Sequence, residues 1–332
     1  MHEGLAIYLS ALFLITTSSC VTVTSAPAAK DTQQTSFVSQ GNQFAKDGLL
    51  RESVDAYKKA IAKDPKSLTA HRNLGIVLVK AGDPQGAITN LEISLSEFDS
   101  NFETNFYLGE AYRADDKYAE AIFRYKKALK IQQNDVRAMK SLAWCYFKIR
   151  FYSEALSVAQ QVQKIAPDDE QAPMILGRTQ LKLKRDSEAL ATLKRGAEKT
   201  GKQSLPYYQS VIAEVLAAQG KSKEALETWR KALKAQPMLA GALLGTGKLL
   251  LESGQTKEAA DYLERAVRIK PKMYDGHYWL ARSLEESSPD RALRYFNYFR
   301  KNAANDPEFV ELVQDARKRT ADLATRVKME DN

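Results

Sequence analysis

The chain has 332 residues, 44% of them hydrophobic and 27% charged, which excludes a disordered polar chain and suits about two ordinary domains or one repetitive array. Sixteen Gly and ten Pro are too few for a collagen-like or low-complexity protein, two Cys exclude a disulfide framework or a cysteine-rich zinc module, and three His leave little for a histidine metal site. The formal charge of +8 is spread out with no run of five like charges, so it reads as a solvated basic surface, with acidic partners or anionic headgroups as the sharper alternative and nucleic-acid wrapping excluded.

The first element is an apolar stretch, Leu5 to Ile15, of the length of a secretory h-region and too short to span a bilayer comfortably. Small residues follow (Thr16, Thr17, Ser18, Ser19), then Cys20. This order resembles the lipobox of bacterial lipoproteins. The resemblance implies a signal peptide over 1–19, cleavage before Cys20, and acylation of the Cys20 sulfur and amine, which anchors stably because each buried CH₂ contributes about 0.8 kcal/mol. Thr17 stands where lipoboxes usually carry Leu, and the n-region has no Lys or Arg. Two alternatives therefore stay open: cleavage after Ala26-Pro27-Ala28, and an uncleaved apolar N-terminus. Residues 20–33 are small and polar and are expected to be a flexible tether. Cys145 has no partner within the mature chain.

From there the chain repeats. Gly41, Gly75, Gly109, Ala143 and Gly177 stand 34 residues apart, as do Tyr57, Leu91, Tyr125, Ala159 and Leu193. After an insertion near Ser204 the register resumes with Ala213 and Trp229, then Gly247 and Leu263, then Ala281 and Phe296. Pro65, Pro167, Pro237 and Pro271 recur near unit ends, where a missing N–H forces a turn. Each unit is expected to hold two amphipathic helices, such as Phe102–Asp115 and Tyr118–Lys130. Small residues (Gly109, Ala121) would let the backbones approach, with Tyr112 and Tyr125 filling the space beside them.

The pattern resembles the tetratricopeptide repeat (TPR) family. The resemblance implies an all-α, right-handed superhelical solenoid of about eight units, near 34–67, 68–101, 102–135, 136–169, 170–203, 206–239, 240–273 and 274–304. It implies a concave groove lined by the first helix of each unit. Residues 305–332 hold the expected capping helix, Glu308 to Lys328, with its apolar stripe at Phe309, Leu312, Val313, Ala316, Leu323 and Val327.

Catalytic motifs are absent from the sequence. Gly245-Thr246-Gly247-Lys248 looks like part of a phosphate loop but has Ala242 and Leu249 where Gly and Ser or Thr are needed. His71 and His277 read as satisfied surface histidines, and Glu285-Glu286 and Asp168-Asp169 as solvated charges. No cofactor or metal is expected.

Function should therefore lie in the groove. At about 100° per residue, Arg137, Lys140, Trp144, Phe147 and Lys148 share an arc, continued by Arg178 and Lys182 in the next unit and by Tyr107 and Arg113 in the preceding one. Phe106 and Glu110 belong to the same surface, and Tyr278, Trp279 and Arg282 form a second cluster. This aromatic and basic surface suits a peptide with acidic and apolar side chains. The alternative is that these side chains pack against neighbouring helices. Chaperone-tail-binding TPR proteins clamp carboxylates with Lys, Asn and Arg. Asn42 and Asn73 match two of those slots, but Val38, Glu103 and Tyr107 replace the basic ones, so that specificity is not implied.

The expected function is a non-enzymatic scaffold binding a protein or peptide, with no nucleic acid and no small-molecule substrate. The lipid on Cys20 would hold it to a bacterial envelope membrane. Val21 after the Cys implies, by resemblance to enterobacterial lipoproteins, the outer membrane facing the periplasm, where similar proteins assist secretin or pilus assembly or dock cell-wall enzymes. A cytosolic adaptor and an enzyme with a dispersed groove site are the rival readings.

Overall fold

A computed structural model describes residues 28–95 and 101–330. The apolar stretch, Cys20 and the tether up to residue 27 lie outside the described residues. All regular structure among the described residues is helical. The helices pair into units: α1 (Ala28–Lys46) with α2 (Leu50–Lys63), α3 (Leu68–Ala81) with α4 (Pro84–Leu95), α5 (Phe102–Ala114) with α6 (Tyr118–Ile131), and α7 (Val136–Lys148) with α8 (Tyr152–Ile165). Then come α9 (Ala172–Lys182) with α10 (Asp186–Lys199), α11 (Leu205–Ala218) with α12 (Ser222–Ala235), α13 (Ala240–Glu252) with α14 (Thr256–Ile269), and α15 (Tyr274–Leu284) with α16 (Pro289–Ala303). A short 3₁₀ turn (Pro307–Phe309) leads into α17 (Val310–Glu330). These are the eight helical hairpins and the capping helix expected of a TPR solenoid. One boundary differs: α1 begins at Ala28, so residues 28–33, expected in the tether, form its first turns.

The unit contact follows from the small-residue slot. A Cβ on Gly75 would lie 2.5 Å from the Leu91 side chain and 3.2 Å from the Ala87 carbonyl. Gly41 faces Tyr57, Gly109 faces Tyr125, and Gly247 faces Leu263 in the same way. Tyr125 and Ala121 are fully buried, as that packing requires. In unit six the pattern shifts. Ala213 replaces Gly, and the Trp229 indole instead lies over Gly245 of the following unit, donating its Nε1–H to the Ser210 carbonyl at 3.1 Å. Gly245–Lys248 is thus mid-helix in α13, with both glycines filled by neighbours, and Thr246 is buried. A phosphate loop needs free backbone amides turned outward, which a helix interior does not offer.

The turn inside units one to seven also repeats. Gly48, Gly82, Gly220 and Gly254 adopt φ of 74° to 81° there. Asp116, Arg150 and Lys184 occupy the same slot at φ 58°, 66° and 60°. Only Gly enters this left-handed region without steric cost. First turns of several helices are capped by side chains: Asn101 accepts from the Thr104 amide at 2.9 Å, and Asp135 from Ala138 at 2.9 Å.

Three readings of polar residues are corrected by packing. His71 and His277 are buried, at 7% and 8% exposure, because both stand in one repeat slot under the preceding inter-unit turn. His71 binds the Pro65 carbonyl and Asn90, and His277 Nε2 lies 2.8 Å from the Pro271 carbonyl. Glu285 is not merely solvated: it pairs with Arg319 of the cap at 2.9 Å and with Arg282 at 3.5 Å. Asp169 accepts from the Ala172 amide at 2.8 Å and caps α9. The cap seals the solenoid with Val313, Ala316 and Leu323 buried, Phe309 and Leu312 packed beside them, and the Tyr278 hydroxyl donating to Asp315 at 2.5 Å.

Two substitutions test this packing in denaturant titrations. Gly245→Val would overlap the Trp229 ring and is expected to cost about 1–3 kcal/mol. Lys184→Gly, at an exposed side chain, is expected to gain about 1 kcal/mol by removing the left-handed Cβ penalty. A neutral result at Gly245 would mean that the Trp229 contact is loose.

Candidate functional site

The inner layer is set by geometry. Each first helix lies close to the first helix of the next unit, as α3 does to α5 and α7 to α9, whereas second helices approach one another far less. The more crowded layer of a curved stack is its concave side. The sequence-derived arc is on this layer, but the structure divides it into separate groups.

Arg137 sits over the Phe106 ring at 5.0 Å and Phe102 at 5.7 Å, and pairs with Asp135 at 2.9 Å. Phe106 itself is core, and Tyr107 packs edge-on against it. Arg113 is engaged by Glu110 at 2.6 Å, and Glu110 also accepts from Tyr125 Oη and Ser141 Oγ, each at 2.6 Å. Burial works to raise the Glu110 carboxyl, but these hydrogen bonds outweigh it and hold it below the usual range. This network joins α5, α6 and α7 and leaves Arg113 a positioning role. Lys140 is likewise bound, to Asp169 at 2.6 Å and to Gln171 at 3.2 Å. Trp144 and Phe147 stack at 5.6 Å and are half-buried, while Lys148 turns toward the Tyr118 ring. Asn42 and Asn73 bond to one another at 3.0 Å, and Asn42 accepts from Tyr57. Cys145 is fully buried, and burial pushes its thiol up to about 12, so it is an inert packing residue.

Arg178 and Lys182 have a different setting. They line a cavity of about 840 Å³ along the inner side of units five to eight. Sequence reasoning missed several of its other walls. Tyr207 follows Pro206 in the first turn of α11, Met238 follows Pro237 in the inter-unit turn before α13, and they are 47% and 70% exposed. Lys248 lies 4.8 Å over the Trp279 ring, with Arg282 on that ring's other contact at 6.0 Å. Tyr278, expected in this cluster, is core. The cavity is not simply basic. Lys182, Arg178, Lys248 and Lys270 face Glu214, Glu252, Asp275 and Glu308. Burial raises the Asp275 carboxyl, against the pull of Lys248.

Glu308 reaches this cavity from the connector between α16 and α17. It pairs with Lys182 at 2.5 Å and with Arg150 at 3.4 Å, and Arg150 also pairs with Asp306. Burial works to lower the Lys182 ammonium, but the hydrogen bond and charge of Glu308 outweigh it and leave it raised. No periodicity in the sequence relates residue 308 to residue 182, so only the curvature of the stack could reveal this contact. Among the described residues no group of three or more His, Cys, Asp or Glu is placed to hold a metal.

Comparison with known proteins agrees with this architecture. The family model described as tetratricopeptide repeat matches residues 74–136 and 211–274, and that described as TPR repeat matches 41–82. The model described as anaphase-promoting complex, cyclosome, subunit 3 matches 114–196. Hsp70-Hsp90 organizing protein 3 of Arabidopsis thaliana is 30% identical over 141 residues, covering 42% of this chain and 25% of that protein. BBSome complex member BBS4 of Bos taurus is 21% identical over 239 residues, covering 72% of this chain and 46% of that protein. The chain therefore spans less than half the length of either relative. A tetratricopeptide repeat protein from Parabacteroides merdae superposes with a TM-score of 0.66 at 15% identity, covering 76% of this chain and 99% of that one.

His277 gives the site's flank a pH signature. A carbonyl can only accept, so Nε2 carries the proton toward Pro271, and the buried Nδ1 has no hydrogen-bond partner. Burial lowers this imidazole from its ordinary 6.5. The unfolded chain then binds the proton first, so the stability that neutral His277 contributes is present above 6.5 and is lost as pH falls below it. Melting curves from pH 7.5 to 5.5 are expected to shift downward, and less so in His277→Gln. Identical shifts in both proteins would remove His277 as the cause.

Proposed function

We propose that this chain of tetratricopeptide repeats is a non-enzymatic scaffold that holds a partner polypeptide in its inner groove, tethered to a bacterial envelope membrane by lipid on Cys20. The observation that carries the first part is the cavity over units five to eight. Met238 and Tyr207 are large apolar side chains left exposed beside Arg178 and Lys182. Exposed apolar anchors next to cations, on a concave surface, are the composition of a protein interface. A volume of about 840 Å³ takes several side chains of an extended segment. The relatives' names support the reading: one is an Hsp70-Hsp90 organizing protein and the other a BBSome complex member.

The anchoring rests on the sequence. The apolar stretch, the small residues and Cys20 supply a lipidation signal, and no described helix is long and apolar enough to cross a membrane. Val21 favours the outer membrane, facing the periplasm. There the scaffold would assist assembly of a secretin or pilus, or dock a cell-wall enzyme.

Crosslinked pull-down from envelope fractions tests the groove. Arg178→Ala with Tyr207→Ala and Met238→Ser is expected to lower partner capture at least tenfold, on the scale of two or three hot-spot truncations, with little change in melting temperature. Undiminished capture by that folded variant would sink the groove reading. Metabolic palmitate labelling is expected to disappear in Cys20→Ala, and a protein found soluble at its full unprocessed mass would refute the anchor.

A further inference from the structure

We propose that Arg150, on the turn between α7 and α8, and Lys182, on the cavity wall, together form a carboxylate-binding subsite at the edge of the groove, that the chain's own Asp306–Glu308 connector occupies it, and that an acidic peptide of the partner competes for it. The inference deepens the scaffold reading and rests on it.

The argument begins with distance along the chain. Arg150 and Lys182 belong to units four and five, and the connector follows unit eight, so the ion pairs join residues 156 and 126 positions apart. Two carboxylates spaced by Pro307 meet two cations from adjacent units. The connector is shaped for this. Pro307 fixes its backbone, and Asp306 accepts from the Glu308 amide at 2.9 Å, so both acids point from one short turn. Glu308 forms part of the cavity wall, so the same turn limits access to the groove.

The clasp is built to exchange. The paired side chains remain between 31% and 43% exposed. Ion pairs so open to water are each worth at most about fivefold in an equilibrium. An external acidic segment, offering the same groups with added contacts to Tyr207 and Met238, can displace them. The occupant also states the ligand's chemistry: two carboxylates one residue apart, followed by an apolar side chain as Phe309 follows Glu308 here.

The probe is a fluorescent peptide of the chain's own residues 304–310, titrated by anisotropy into the full chain. Asp306→Asn with Glu308→Gln is expected to bind it about tenfold or more tighter than wild type, since the competing segment is gone. Adding Arg150→Gly and Lys182→Gln is expected to abolish binding. Arg150→Gly suits this purpose because its φ of 66° is one that glycine adopts freely. A peptide with Asn and Gln for the two acids should not bind, and the affinity should fall steeply between 50 and 500 mM salt (about 14 Å to 4 Å of screening length). Equal binding by wild type and the clasp variant, or binding that survives loss of Arg150 and Lys182, would overturn the proposal. If the clasp variant melts early, amide exchange in wild type decides. Exchange over 305–312 should rise on addition of excess peptide, and an unchanged rate would be fatal to the idea. In envelope pull-downs the two readings separate: no capture by any folded form defeats the scaffold, whereas equal capture by wild type and the clasp variant defeats only the clasp.

Discussion

Close approach of two helix backbones within each unit is the constraint on which this molecule depends. It requires a small residue, Gly or Ala, on the first helix, faced in most units by a large or branched side chain on the second, with Ala143 against Ala159 the exception in unit four. Gly41 against Tyr57, Gly75 against Leu91, and Gly109 against Tyr125 all meet it. A single hairpin closed this way still exposes an apolar flank, so units must stack, and the stack must end in a cap. Tyr278, Glu285 and Arg319 carry out that last task with an ion-pair and hydrogen-bond network that an apolar end could not supply. Unit six shows the constraint from the other side. There Ala213 stands in the slot, and the bulky Trp229 reaches Gly245 of unit seven, whose missing Cβ leaves room for the ring.

The same stacking decides what the inner surface can do. Most of its charges are bound by neighbours: Arg113 by Glu110, Lys140 by Asp169, Arg137 by Asp135. The first and last of these pairs are local to one helix start or turn, Lys140–Asp169 ties α7 to the turn before α9, and together they leave little for a ligand. Over units five to eight, apolar side chains stay exposed, and cations meet acids that come from far along the chain. Recognition is therefore concentrated on one stretch of the groove, and its charge balance includes the connector before α17.

Several residues with catalytic chemistry are taken up by the packing of the stack. The candidate phosphate loop is a helix interior, the buried thiol is held protonated, and the two histidines hold inter-unit turns. Of the acidic pairs, Asp168 and Asp169 both form ion pairs, with Lys199 and Lys140, and Glu285 is bound by Arg319 of the cap.

The amino-acid sequence by itself determined the period, the number of hairpins, the small-residue slots and the capping helix. All of these are local, set by spacing within one unit, and each unit repeats the same physical problem. It placed the helices of unit three to within a residue, because Asp116 and Lys117 mark the turn. It did not separate free groove cations from bound ones, since Lys140 and Arg178 occupy similar helical faces and differ only in whether Asp169 lies opposite. It also read His71 and His277 as exposed, because burial beneath a turn depends on the neighbouring unit. Curvature, summed over many units, decided the rest. It brings Glu308 to Lys182 and Asp306 to Arg150, a meeting that no spacing rule within a 34-residue period can encode.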